Sequence, residues 1–236
     1  MLVRNKKPFS VGVVFTISFL GVLLLIFSPF FNGKNGLEFS DDSFNKLAKG
    51  SSYFIPKVAK SVEKFVGKPF SSTITLDSAV DAQDMAKLFT TAGARAESKD
   101  KELAVSGDLG AVLQNALKDS DAMYKNNGKA VAERYGYDEK KVMRNWWQAL
   151  TKVDKEMKKS KHVDEAKIIS DVAKKAVEPG YNFYQIDANK VSEHAGMMSG
   201  LLVFYVLYTM WWGYAIFYLF EGVGLSMKRA KIRKEV

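Results

Sequence analysis

The chain has 236 residues, of which 47% are hydrophobic and 26% are charged, a composition that excludes an intrinsically disordered protein. It contains no cysteine, which excludes disulfides, thiolate zinc sites, iron–sulfur clusters and covalently attached c-type haem. The formal net charge is +9, but much of the excess lies beside two apolar segments, as is typical of juxtamembrane anchors and not of a nucleic-acid groove. These terminal basic residues are Arg4, Lys6, Lys7, Lys228, Arg229, Lys231, Arg233 and Lys234.

The first apolar segment, residues 11–31, reads VGVVFTISFLGVLLLIFSPFF and carries no charge. At a rise of about 1.5 Å per residue it reaches about 30 Å, the thickness of a bilayer core. Phe30 and Phe31 stand where a signal peptidase prefers small residues. The segment is therefore predicted to be an uncleaved signal anchor that follows a cytoplasmic basic tail at residues 1–10.

Residues 32–107 are predicted to form a small α+β unit outside the membrane. From about Ser51 to Gly107 the pattern of apolar residues predicts helices and strands in the order α-β-α-β-β, with a hairpin turn at Lys99–Lys101. This order is similar to that of small ligand- or partner-binding modules such as BON domains, a similarity of topology that implies a fold and no activity.

Residues 108–196 are predicted to form a helical bundle. Asp108 and Asp138 are the expected N-caps of its first two helices, and Pro179-Gly180 is expected to end the third. Asp187 is the expected cap of a last helix that continues into the second span. Carboxylates such as Asp119-Ser120-Asp121 are expected in caps and solvated helix turns.

Residues 197–220 form the second predicted span, and residues 221–236 form the second basic tail. Two spans place both tails on one side, and the positive-inside rule assigns that side to the cytoplasm. The predicted fold is therefore a double-pass inner-membrane protein, a hairpin of two transmembrane helices that carries a periplasmic α+β domain.

The second span holds an unusual number of aromatic rings, several of them near its middle. At 100° per residue Phe204, Tyr208, Trp211 and Tyr218 share one face, and Trp212 flanks it. Three explanations remain open: packing against a small-residue face of the first span (Ser18, Gly21, Ser28), contact with another membrane subunit, or a bound quinone, haem or pigment.

Trp146 and Trp147 lie in an apolar helical stripe. Adjacent residues are 100° apart and cannot both point inward, so one is expected in the core. Trp147 is predicted to be the exposed one and to contact a partner chain. Stacking on a sugar or peptidoglycan fragment is an alternative.

Residues for catalysis or cofactor binding are scarce. His194 with Met197 and Met198 shares a helical face and is a weak candidate for a metal or haem site, whereas His162 lies in a lysine-rich turn. The sequence predicts no enzyme, no metal and no cofactor.

The leading functional hypothesis is a non-catalytic accessory subunit of an inner-membrane complex. It would contact other integral membrane subunits and lipids through its aromatic helix, and a periplasmic protein through its central part. Two alternatives are a transmembrane sensor or transmitter, and an electron-transfer subunit that binds haem or quinone.

Overall fold

The computed structural model describes residues 3–225 and is mostly helical with one small sheet, as predicted. The basic residues from Lys228 to Lys234 lie outside the described part. The elements are α1 (Lys6–Phe27), α2 (Gly36–Ser51), α3 (Ile55–Val62), β1 (Pro69–Thr75), α4 (Ala79–Thr91), β2 (Arg95–Lys99), β3 (Glu102–Asp108), α5 (Leu109–Tyr124), α6 (Gly128–Tyr135), α7 (Glu139–Lys159), α8 (Val163–Val172), α9 (Glu178–Asn182) and α10 (Val191–Val223).

The chain divides into two compact units. One contains the residues up to Phe44 and those from Lys190 onward, and is called the hairpin unit below. The other, Asn45–Asn189, is called the central domain.

Two helices of the hairpin unit, α1 and α10, are long and apolar enough to cross a membrane, which is consistent with a double-pass protein. Helix α1 ends four residues before the predicted end of the first span. The cause is local: Ser28 precedes Pro29 and is extended, with φ −83° and ψ 151°, because the proline ring disfavours helical backbone at the preceding residue.

Helix α10 continues from Val191 to Val223 without a break, as the sequence predicted. At about 1.5 Å per residue it is about 50 Å long, more than a bilayer core requires. The predicted cap was wrong, because Lys190 is the N-cap and Asp187 precedes the helix. Lys190 itself is extended, with φ −78° and ψ 131°, and Asn189 N–H donates to the Lys46 carbonyl at 3.0 Å.

The two apolar helices pack closely where both carry glycine. A Cβ at Gly12 would lie 2.7 Å from the Leu219 nitrogen, and one at Gly222 would lie 2.6 Å from the Phe9 Cβ. Among residues 3–225, a Cβ added at Gly21 would have no neighbour within 4 Å beyond the adjacent backbone of its own helix. The predicted Ser18–Gly21–Ser28 face is therefore not where the helices meet most closely. Gly12 and Gly222 allow the close approach instead.

The central domain begins with the predicted α-β-α-β-β order. Its three strands form an antiparallel sheet in the order β1-β3-β2, in which Thr75 and Lys99 both pair with Glu102. The β2–β3 hairpin turns at Asp100, which has φ +50°, as predicted.

The helical part of the central domain confirms two of the predicted caps. The Asp108 carboxylate accepts from Ala111 N–H at 3.2 Å, and the Asp138 carboxylate accepts from Lys141 N–H at 2.8 Å. The sheet and the helices share one hydrophobic core. Its largest fully buried side chains are Trp146, Tyr135, Phe89, Ile74, Met85, Leu88, Leu103, Leu109, Leu113, Met123, Met143 and Leu150.

The third helix of the bundle does not end at Pro179-Gly180. Helix α8 passes through a π-helical turn, Ala173–Val177, into α9, which contains both residues. A proline inside an α-helix clashes with the carbonyl four residues earlier, here that of Lys175. The π turn widens the helix at that residue, and Tyr181 is consequently helical.

Candidate interaction surfaces

The aromatic face of α10 is partly used within the hairpin unit. Tyr208 stacks on Phe19 with ring centroids 4.2 Å apart, and its hydroxyl donates to the Phe19 carbonyl at 3.2 Å. Tyr218 stacks on Phe15 with ring centroids 6.0 Å apart. Ala215, which lies between Tyr208 and Tyr218 in the sequence, is fully buried. This part of the predicted face therefore packs against α1.

Other rings of α10 remain exposed in the hairpin unit. Phe204 and Trp212 are 44% and 39% exposed, and Tyr205 is 64% exposed. Trp212 touches Phe19 with ring centroids 4.7 Å apart but keeps much of its surface free. Trp211 is half-buried, and within the described residues its indole N–H has no acceptor. The rings of α10 thus form two sets. The inward set, Tyr208 and Tyr218, packs against α1. The outward set keeps much of its surface exposed and consists of the predicted rings Phe204 and Trp212 together with Tyr205, which was not predicted.

An apolar groove of about 810 Å³ opens where α1 ends. A volume of this size is within the range of small-molecule sites, about 300–1,000 Å³, and suits the apolar tail of a lipid or quinone. Its lining includes Ile26, Phe31, Leu37, Phe39, Phe44, Met198, Leu201, Leu202, Phe204 and Tyr205.

The three residues named as metal candidates lie in the first turns of α10. His194 Nδ1 lies 3.2 Å from the Lys190 carbonyl, Met197 is half-buried, and Met198 lines the apolar groove. Among residues 3–225 no group of three or more histidine or carboxylate side chains could hold a metal ion.

The two adjacent tryptophans of α7 have different environments, as the sequence predicted. Trp146 is fully buried, meets Phe89 edge to face at 5.8 Å, and donates its indole N–H to Asp119 at 2.8 Å. Trp147 is 41% exposed, and its N–H donates to Glu178 at 2.7 Å. Trp147 is therefore the one available to a partner.

Asp119 is a buried polar centre that sequence reasoning placed wrongly among solvated carboxylates. Besides Trp146 it accepts from the Tyr135 hydroxyl at 2.5 Å and pairs with Arg134. Burial and the neighbouring Asp119 charge raise the pKa of Tyr135 far above its ordinary value, which keeps its hydroxyl a donor. The sequence does contain one signal that Asp119 is buried. Its helical spacing from Ala116 and Met123 places it on the apolar stripe of α5.

Trp147 stands beside a cavity of about 370 Å³. Its lining brings together Arg144, Glu178 and Tyr181 with Met143, Val177 and Asn182. The sequence did not identify Arg144, Glu178 or Tyr181 as site residues. Two of them lie on α9, whose position depends on the π turn, and no simple periodicity predicts such a turn.

Lys49 is a second polar centre that the sequence did not reveal. Its side chain is buried and donates to Asn126 Oδ1 at 3.0 Å, to the Phe183 carbonyl at 3.0 Å and to the Ile186 carbonyl at 2.5 Å. Burial lowers the pKa of Lys49, although the charge of Asp187 opposes the shift. These bonds tie the last turn of α2 to the segment that precedes α10.

Comparison with protein-family models, with curated proteins and with solved structures gave no significant match to this chain.

Proposed function

We propose that this chain is a non-catalytic accessory subunit of a larger inner-membrane assembly, anchored by α1 and α10. The observation that carries the proposal is the outward ring set of α10, chiefly Tyr205 and Trp212, which remains exposed after α1 has packed against the same helix. Trp147 on the central domain supplies a second contact surface outside the membrane.

The position of Trp212 favours a protein neighbour over lipid alone. Aromatic belts lie at the two membrane interfaces, whereas Trp212 lies near the middle of the apolar stretch. Lipid tails already provide an apolar environment, so helix association in membranes depends on packing and hydrogen bonds. Rings held at this depth are suited to packing against another transmembrane helix.

Both termini are proposed to be cytoplasmic and the central domain periplasmic, which cysteine labelling tests cleanly because the chain contains no cysteine. We expect Val80→Cys, on α4, to react in whole cells with a membrane-impermeant maleimide. We expect Leu225→Cys to react only after the membrane is opened. Both side chains are exposed, at 61% and 58%. The opposite labelling pattern would reverse the proposed orientation.

The subunit proposal predicts that the outward rings matter for assembly. The double variant Tyr205→Leu/Trp212→Leu is expected to insert normally but to lose at least about tenfold in partner recovery, as for residues at the centre of an interface. Recovery is measured by quantitative mass spectrometry after extraction into polymer nanodiscs.

Val203→Leu/Met210→Leu is the matched control, because both residues are exposed on α10 away from the outward ring set. The control is expected to leave partner recovery unchanged. Equal recovery from wild type and the Tyr205/Trp212 variant would remove these rings from the proposed interface.

A second candidate function is a transmitter that relays binding outside the membrane to α10. The favouring observation is Lys49, whose hydrogen bonds join α2 to the chain segment leading into the continuous α10. On this hypothesis Lys49→Met would alter the response of a cytoplasmic partner while leaving the amount of assembled complex unchanged. Reduced assembly instead would favour the accessory-subunit function.

A further inference from the structure

Two cavities of the central domain are lined by residues of α7, and they share the side chains of Trp147 and Glu178, which are joined by a hydrogen bond. One is the cavity of about 370 Å³ described above, and the other has a volume of about 210 Å³. The α7 residues of the two cavities extend from Met143 to Lys158, a distance of about 22 Å along the helix. We refer to both cavities together as the α7 groove.

The smaller cavity contains a buried acceptor without a donor. Asp154 is only 8% exposed, and one of its carboxylate oxygens accepts from Lys158 Nζ at 2.6 Å. The other oxygen, Oδ1, is buried and has no hydrogen-bond partner within the described part of the chain. A buried acceptor left in this state is unfavourable, so a bound donor would stabilise it. Because Lys158 already balances the charge of Asp154, a neutral donor such as an amide N–H is favoured over a cation.

The larger cavity has the composition of a binding hot spot. Trp147 and Tyr181 are 41% and 42% exposed, and Arg144 is exposed and makes no ion pair within residues 3–225. Tryptophan, tyrosine and arginine are the residues enriched at the centres of protein interfaces. An acidic group is the natural partner of the free guanidinium.

We propose that the α7 groove binds an extended polypeptide segment of a partner protein. The segment places an acidic side chain at Arg144, an apolar side chain against Trp147 and Tyr181, and an amide N–H at Asp154. Arg144 and Asp154 are ten residues apart on α7, about 15 Å, which four or five residues of extended chain would cover. A neutral glycan could stack on Trp147 but would leave Arg144 unused, so a polypeptide fits better.

This inference rests on the proposed function as an accessory subunit. Its test uses the full chain in cells, with the photoreactive residue benzoylphenylalanine in place of Tyr181 and, as a control, in place of the exposed Val80 on α4. Crosslinked products are mapped by mass spectrometry. We expect position 181 to crosslink to one polypeptide segment that contains an acidic residue, and we expect position 80 not to crosslink to it.

Two further substitutions establish that the groove itself is responsible. Trp147→Ala and Arg144→Glu are each expected to reduce the crosslink at position 181 by about tenfold or more. Both side chains are exposed, so neither substitution is expected to unfold the domain. An unchanged melting temperature of each variant verifies this. A crosslink that survives both substitutions would overturn the proposal.

The remaining outcomes separate this inference from the subunit proposal. If partners are recovered in nanodiscs but position 181 gives no polypeptide crosslink, the groove inference fails and the subunit function stands. If no partner is recovered and no crosslink forms, both fail. A crosslink to a glycan or peptidoglycan fragment would overturn the polypeptide class.

Discussion

Replacing Trp146 with alanine is expected to lower the free energy of unfolding by about 3–5 kcal/mol, the usual cost of truncating a buried tryptophan. The side chain is fully buried, packs edge to face on Phe89, and donates its N–H to Asp119. Its removal leaves a cavity in the core of the central domain. It also deprives a buried carboxylate of a donor.

The adjacent residue provides the matched control. Trp147→Ala removes an exposed indole and one hydrogen bond to Glu178, and exposed sites usually change stability by about 0.5 kcal/mol or less. The measurement is thermal and denaturant unfolding of the full chain in nanodiscs, followed by circular dichroism. An equal decrease in the free energy of unfolding of the two variants would contradict the assignment of Trp146 to the core and Trp147 to the surface.

Replacing Asp119 with asparagine is expected to cost about 3–5 kcal/mol, the usual result of removing one partner from a buried ion pair. Arg134 loses its counter-charge, and asparagine offers one acceptor oxygen where the carboxylate offered two. Its NH2 group must therefore face either Arg134 or the Tyr135 and Trp146 donors, which leaves one of these contacts unmade. The replacement has nearly the same shape, so the loss reports charge and hydrogen bonding rather than volume.

Asp121→Asn is the control for Asp119, from the same short acidic run. Asp121 pairs with Lys125 on the surface and accepts from the Tyr53 hydroxyl, and exposed ion pairs contribute about 0–1 kcal/mol. Both variants are measured by the same unfolding experiment. A loss at position 121 equal to that at 119 would show that Asp119 is not the polar centre of the core.

The sequence predicted the larger elements of the fold because they follow from periodicity and capping. The α-β-α-β-β order, the caps Asp108 and Asp138, and the continuous last helix were all visible in hydrophobic spacing and cap residues. Such signals are local, and the structure confirms them where local preferences decide the backbone.

The errors occur where tertiary contacts override a local rule. Pro179 reads as a helix end, but the π turn accommodates it inside a continuous helical stretch. Asp119 reads as a solvated carboxylate, yet three donors from α6 and α7 satisfy it in the core. Neither the π turn nor the donors can be identified without knowing how these helices pack.

The candidate surfaces were predictable only in part. A rotation of 100° per residue correctly placed Tyr208 and Tyr218 on one face of α10. It could not show that Trp212 touches Phe19 and still remains exposed, because that depends on the position of α1. Trp147 was found from its neighbour Trp146, whereas Asp154 of the α7 groove was not, since burial gives a single acidic residue no sequence signature.

The most direct test of the accessory-subunit function is extraction of the untagged wild-type protein from its native membrane into polymer nanodiscs, followed by quantitative mass spectrometry of everything that accompanies it. The proposal predicts a defined set of integral membrane proteins in fixed stoichiometry with this chain. Recovery of the chain alone, or with only lipids and proteins in variable trace amounts, would contradict it.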